Sequence, residues 1–235
     1  MKKRVNLNVL LWGILILISC NKTDQYIYPG ETWQKADKPT RHTECAGTHW
    51  YYNNWDFNAA GKIFEKYSGK KIFDALKEEI ADAIQMESFE AEDGWYVTGE
   101  ESIHPAYPFR ITARDMARFG LLMLRKGKWN NEQVIPEAWV EESTRYHSDA
   151  TLYGSDGYGY MWWVARKHNK FPNLPGVDIP EGSYSARGAG GHYIIVIPAY
   201  DLVIVHRVNT YESDNSVSTE EMGHLVDLVL NARKE

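Results

Sequence analysis

Apolar residues recur at helical spacing in five stretches of the chain and crowd at strand density in two. After Asn58, the residues Ala60, Ile63 and Phe64 mark one face of a helix that Gly69 ends. Ile72, Phe73, Leu76, Ile80 and Ile84 mark a second amphipathic helix. Thr112 opens a third, with Asp115 three residues on as a capping-box-like partner and Gly127 past its end. Met116, Phe119, Met123 and Leu124 are its stripe. Pro136 suits the first turn of a short helix, PEAWVEES. Ser218-Thr219-Glu220-Glu221 caps a last helix, whose Met222, Leu225, Val226, Val229 and Leu230 recur at i, i+3, i+4, i+7 and i+8.

Between the fourth and fifth helices the pattern changes. YGYMWWV reads as a strand, and HYIIVIPAYDLVIVHRV holds two β-branched runs separated by Pro198-Ala199-Tyr200-Asp201, an antiparallel hairpin. Its nearly continuous apolar character predicts cover on both faces and a central place in the sheet, with the last helix lying on it. Helices, then strands, then a closing helix predict an α+β fold around an antiparallel sheet.

The amino terminus belongs to none of this. Lys2, Lys3 and Arg4 precede an apolar run from Val9 to Ile18, the layout of a secretion signal. That run is short of the ~20 residues of a membrane span. It closes in Leu17-Ile18-Ser19-Cys20, which resembles a bacterial lipobox with Cys20 as the lipidated residue. The expected organisation is a lipoprotein signal over 1–20, a tether and irregular segment over 21–45, and one domain over 46–235, held at the bacterial cell envelope by the lipid. Of the two cysteines only Cys45 then remains, so no disulfide framework supports the core.

Removing residues 1–19 takes away three positive charges and no negative ones, so the net charge goes from −6 to −9. So acidic a chain is poorly suited to nucleic acid. Its eight histidines show no metal-ligand spacing, and nothing in the sequence calls for a metal or a cofactor. His147, His168 and His206 read as surface or core residues. Trp55, Trp162 and Trp163 could stack sugars but fit core packing better. Arg110 and Arg114 read as structural, and Arg125, Lys126 and Lys128 suit a helix C-terminus.

One stretch carries a chemical suggestion. HWYYNNWDFNAAG, from His49 to Gly61, packs five aromatics around a run of amides just ahead of a helix. GTHWYYNNWDFNAAG, HPAYPFRITARDMARFGLLMLRKGKW, VIPEAWVEEST, GYGYMWW and ARGAGGHYIIVIPAYDLVIV follow one another in that order. Together they resemble the serine β-lactamase and penicillin-binding-protein superfamily, in its class-C-like and esterase-like branch, over nearly the whole chain from Tyr28 to Lys234. The resemblance implies a β-lactamase/transpeptidase-like fold with a helical subdomain. It also implies acyl transfer through an acyl-serine on a β-lactam, an ester or an amide. Tyr52-Asn53-Asn54 fits the family's Tyr-x-Asn motif, which would make Tyr52 the general base and Asn54 a positioner of substrate and of the motif lysine. Residues i and i+2 of an extended loop point the same way, so both could face one cleft. Ala189-Gly190-Gly191 resembles the strand triplet that borders that cleft. Gly190 and Gly191 would let substrate approach closely, and the His192 amide would donate to an oxyanion.

The family's Ser-x-x-Lys nucleophile does not fall where it should, well ahead of Tyr52. Ser19-Cys20-Asn21-Lys22 straddles the signal boundary, and Ser68-Gly69-Lys70-Lys71 follows Tyr52 in a helix–helix joint. The chain therefore reads as a signal peptide joined to the later part of such a hydrolase, without its first strands and nucleophile helix. A separate polypeptide could supply that half. Loss of a serine nucleophile costs about 10⁶ in rate, so the family's reaction should be nearly silent here. The alternative is a non-catalytic envelope lipoprotein that uses the remnant cleft to bind a peptide or glycan.

Overall fold

The structure is a computed structural model and describes residues 50, 52–99, 102–151, 157–166, 174–210 and 215–233. The signal, Cys20, the 21–45 segment and Cys45 lie outside these residues. Helix α1 (Asn54–Ser68) starts four residues earlier than the apolar pattern suggests, because Asn53 caps it. Gly69 ends it in the left-handed conformation at φ 73°. Phe64 is buried, whereas Ile63, expected on the same face, is 48% exposed. Helix α2 (Ile72–Leu76) runs on into a π turn at Lys77–Ala81. Ile72, Phe73, Leu76, Ile80 and Ile84 are all buried, as their spacing implies.

The short hairpin β1 (Val97–Gly99) and β2 (Ser102–Ala106) lies against α1. Helix α3 (Ala113–Leu124) follows, its first turn capped by Thr112, whose side chain accepts the Asp115 N–H at 3.2 Å. The Asp115 carboxylate does not return the bond within the cap. It is buried and accepts the backbone N–H groups of Glu87 (2.6 Å) and Ser88 (3.2 Å), tying the segment after the π turn to α3. The small ladder β3 (Lys128–Trp129) with β4 (Glu132–Gln133) and helix α4 (Glu137–Ser143) complete the helical part.

Among the described residues the main sheet has six antiparallel strands. They are β5 (Ser148–Asp149), β6 (Gly157–Tyr158), β7 (Trp163–Val164), β8 (Tyr184–Gly188), β9 (His192–Ile197) and β10 (Leu202–His206), in the order β10-β9-β8-β7-β6-β5. YGYMWWV is not one strand. A turn with Met161 at φ 67° splits it into β6 and β7, so Trp162 enters the core while Trp163 pairs with Ser185. The HYIIVI/LVIVH hairpin forms as its sequence implies. Every residue of β9 is buried, but β10 stands at the end of the described strand order and only its Ile204 is buried.

The sheet divides two cores. On one face Tyr184, Ala186, Ile194 and Val196 pack with Met116, Phe119, Leu122 and Met123 of α3. On the other, Tyr193, Ile195, Ile197 and Ile204 pack with Met222 and Val226 of helix α5 (Thr219–Asn231). Ser218 and Glu221 form the reciprocal capping box that their spacing predicts. Leu225 is 39% exposed, so the buried face of α5 is narrower than its apolar pattern. No helix among the described residues is long and apolar enough to cross a membrane.

Candidate active site

Tyr52 stands just before the cap of α1, and the helix start fixes it. The Asp56 N–H donates to Asn53 Oδ1 (3.0 Å), and Asn53 Nδ2 donates to Asp56 Oδ2 (2.7 Å). These bonds bury Asn53 to 3% exposure. Residues before the cap and at the fourth helical position often pack together. Here they are Tyr52 and Phe57, ring centres 5.2 Å apart and edge-on. The Tyr107 hydroxyl donates to the Phe57 carbonyl at 2.7 Å. Gly61 makes room for that ring, since a Cβ there would lie 2.2 Å from Tyr107 Cε1. The amides and small residues of NNWDFNAAG thus anchor a helix start against Tyr107, and Tyr52 is carried on it.

The ring of Tyr52 reaches the sheet. It stacks on Trp163 of β7 at 6.3 Å and 18°, and stays 43% exposed. Trp50 and Tyr158 close in on the same indole, at 5.3 and 5.0 Å. The Arg187 guanidinium of β8 lies 5.1 Å from the Trp163 ring centre, and Arg187 Nε donates to Ser185 Oγ at 3.0 Å. Tyr158 is buried, which holds its phenol well above the ordinary tyrosine range. The charge of Tyr52 pushes it further up, and that of Arg187 pulls it down.

Asn54 is not on an extended loop. It is the first residue of α1 and partly buried, so the i and i+2 geometry expected for Tyr52 and Asn54 does not hold. The amide locked beside Tyr52 is Asn53, whose role is the helix cap.

The glycine triplet also differs from expectation. Strand β8 stops at Gly188, and Ala189-Gly190-Gly191 is the turn into β9, with Gly190 and Gly191 at φ 78° and 98°. Two consecutive left-handed residues cannot continue a strand. The close approach that these glycines allow is made by the chain itself: a Cβ on Gly190 would lie 2.3 Å from Thr210 Cγ2, and one on Gly191 2.9 Å from Val217 Cβ. The Val217 N–H donates to the Gly190 carbonyl at 3.1 Å. His206 Nδ1 sits 2.6 Å from the Gly191 carbonyl.

His192 pairs with Gly188 and is 1% exposed. Its Nδ1 accepts the Val208 N–H at 3.4 Å. Burial, with the nearby charges of Arg207 and His206, pushes its pKa down to about 4. On β8 it is Arg187 that shares Trp163 with Tyr52.

Ser68 is the last residue of α1, not the first of a helix, and its Oγ accepts the Lys70 N–H at 3.1 Å. Lys70 is committed to Glu78 (2.7 Å) and Glu79 (2.8 Å), which raise its pKa. Ser68 and Lys71 lie on either side of the left-handed Gly69 rather than on one helical turn. Among the described residues no cluster of His, Cys, Asp or Glu could hold a metal ion.

The family model described as Beta-lactamase matches residues 24–225. The chain belongs to the Beta-lactamase family. An uncharacterized protein of Alkalihalophilus pseudofirmus is 22% identical over 155 residues, which are 65% of this chain and 45% of that protein. A Mycobacterium bovis β-lactamase shares the fold at TM-score 0.61 and 16% identity, over 96% of this chain and 84% of that one. A Bacillus anthracis protein provisionally named 6-aminohexanoate-dimer hydrolase matches at TM-score 0.58 and 22% identity, over 96% of this chain and 60% of its own. This β-lactamase-family chain thus spans about half of the first relative and three fifths of the Bacillus structure. The two structural likenesses show the fold, which is the α+β arrangement of an antiparallel sheet flanked by helices.

Proposed function

We propose that this chain carries the tyrosine-bearing part of a serine-hydrolase acyl-transfer site and does not turn substrate over by itself. The supporting observation is the exposed phenol of Tyr52, held by a capped helix start against the sheet beside a strand cation. A phenol so placed can take a proton from an attacking hydroxyl, provided that a nucleophile stands within hydrogen-bond reach. The Ser-x-x-Lys string at Ser68 does not have the geometry of such a nucleophile. In this reading the substrate is a small acyl compound (an ester, an amide or a β-lactam). It lies along β8 near Arg187 and Gly188 rather than in the turn at Gly190 and Gly191.

The test is turnover of nitrocefin and p-nitrophenyl acetate together with labelling by a fluorescent penicillin. Background rates and no label are expected. Stoichiometric label, or turnover lost in Tyr52→Phe, would contradict the reading. A melting temperature raised by an acyl compound without covalent label would favour the binding lipoprotein instead. Envelope anchoring through Cys20 belongs to the same proposal. Radiolabelled palmitate should enter the wild type and not Cys20→Ala, and equal labelling of both would refute it.

A further inference from the structure

Helix α1 buries Asn58, Gly61 and Phe64, and the opposite side of its second half carries Lys62, Ile63, Lys66 and Tyr67. These four form two neighbouring rows, 62 with 66 and 63 with 67, each pair one helical turn apart. Ile63 is 48% exposed and Tyr67 64%. Lys66 Nζ lies 5.9 Å from the Tyr67 ring centre, so cation and ring share one surface. A single exposed isoleucine needs no explanation, but an isoleucine and a tyrosine in one row beside lysines make a patch. We propose that this face of α1 docks on an anionic phospholipid surface, with Lys62, Lys66 and Lys71 at the headgroups and Ile63 and Tyr67 between them.

Charge selects that partner. The whole chain carries −6, yet residues 62–71 hold four lysines and one acidic residue, Glu65. The Glu65 side chain is 19% exposed, and Lys62 comes no closer to it than 3.9 Å. Its carboxylate accepts the Tyr96 hydroxyl and the Ile72 N–H (3.4 Å). Lys70 is taken by Glu78 and Glu79 and adds little. Lys66 and Lys71 are exposed and enter no ion pair among the described residues. Asp56 shares the outer side, but it lies in the first turn, where Asn53 Nδ2 donates to it. The basic charge is thus confined to the end of α1 and to Lys71, which precedes α2.

Each lysine near an anionic bilayer strengthens attachment by about fivefold. Tyrosine is favoured at headgroup level, and the lysine stems reach past apolar neighbours to the charge. A second copy of the chain is a poorer occupant, because a two-fold contact would set the same lysines against each other. Helix α1 is also the first described helix after Cys20. The proposal takes its membrane from the envelope-anchoring reading and nothing from the acyl-transfer reading.

The test is amine acetylation, read by peptide mass, of the full chain reconstituted into vesicles of phosphatidylcholine alone or mixed equally with phosphatidylglycerol. Neither lipid has a primary amine to compete. Lys62, Lys66 and Lys71 are expected to react several-fold more slowly on the anionic vesicles. The difference should vanish in about 1 M salt, where the screening length is about 3 Å. Lys128, exposed on β3, should react equally on both. Lys62→Glu together with Lys66→Glu should return Lys71 to its rate on phosphatidylcholine. Equal wild-type rates on the two vesicles would overturn the proposal, whether or not the double variant folds. Slow reaction already in detergent, unchanged by either vesicle, would assign the face to a second copy and overturn it too. Flotation reads the anchor separately. A chain that floats only with anionic vesicles would remove the Cys20 anchor and leave this face standing, whereas one that floats with both and reacts equally on both would keep the anchor and lose the face.

Discussion

The two ends of the expected site have opposite characters. At the α1 end, hydrogen bonds and ring contacts lie beneath Tyr52 and leave its phenol exposed. At the β8–β9 end, Thr210 and Val217 occupy the space over Gly190 and Gly191, and His192 is buried. Glycine in a family-like motif signals a close approach but not by whom. Here the approaching group is the chain's own segment after β10, so these glycines serve packing. The proposed substrate-facing position lies earlier, on β8 at Arg187, three residues before Gly190.

That contrast makes substitution effects sharply unequal. Gly191→Val should be the most damaging, because the side chain must adopt φ near 98° and meets Val217 at under 3 Å. Strain and overpacking together should cost about 3–5 kcal/mol, read as a loss of urea midpoint or of folding altogether. An unchanged midpoint would mean that the turn is not sealed.

Acidification should act at the same end. The His192 pKa is depressed from 6.5 to about 4, so between those values the unfolded chain takes up a proton that the native state refuses. Stability from this residue is full above pH 6.5 and falls as the pH drops towards 4. The loss is at most about 3 kcal/mol. Denaturation at pH 7 and pH 4.5 should show a steeper loss in the wild type than in His192→Asn, which does not titrate. Equal slopes would mean that His192 does not contribute to the acid sensitivity.

Changes at the open end should be smaller. Asn53→Ala deletes the cap that holds Tyr52 and should cost about 1 kcal/mol in a urea melt. A change below about 0.3 kcal/mol would mean that Phe57 and Trp163 suffice to fix the helix start. Tyr52→Phe should alter stability by less than about 0.5 kcal/mol, since the ring that packs on Phe57 and Trp163 is kept. A larger loss would make Tyr52 a packing residue like the glycines and erase the comparison.

Much of this fold was legible in the sequence because helix caps and apolar periodicity are local signals. Thr112, Ser218 and Gly69 act where their spacing places them, and the β9–β10 hairpin follows from its β-branched runs. The candidate site was legible only in part. Tyr52 is exposed, but Asn54 is drawn into α1 because Asn53 takes the capping position. A Tyr52–Phe57 spacing that joins the position before the cap to the fourth helical position could have revealed this staple. Arg187 offered no such signal. Its place beside Trp163 comes from the pairing of β7 with β8 across a long connection, and no local pattern encodes that. The split of YGYMWWV was hidden for a related reason: Met161 adopts a left-handed turn without the glycine that normally announces one.

What is proposed is a placed tyrosine base with no serine nucleophile beside it among the described residues. Its most direct test is intact-mass spectrometry of the full chain after prolonged exposure to an excess of a fluorophosphonate, followed by peptide mapping. An unshifted mass and an unlabelled Ser68 are expected. A stoichiometric adduct on any serine, above all one lost in Tyr52→Phe, would contradict it.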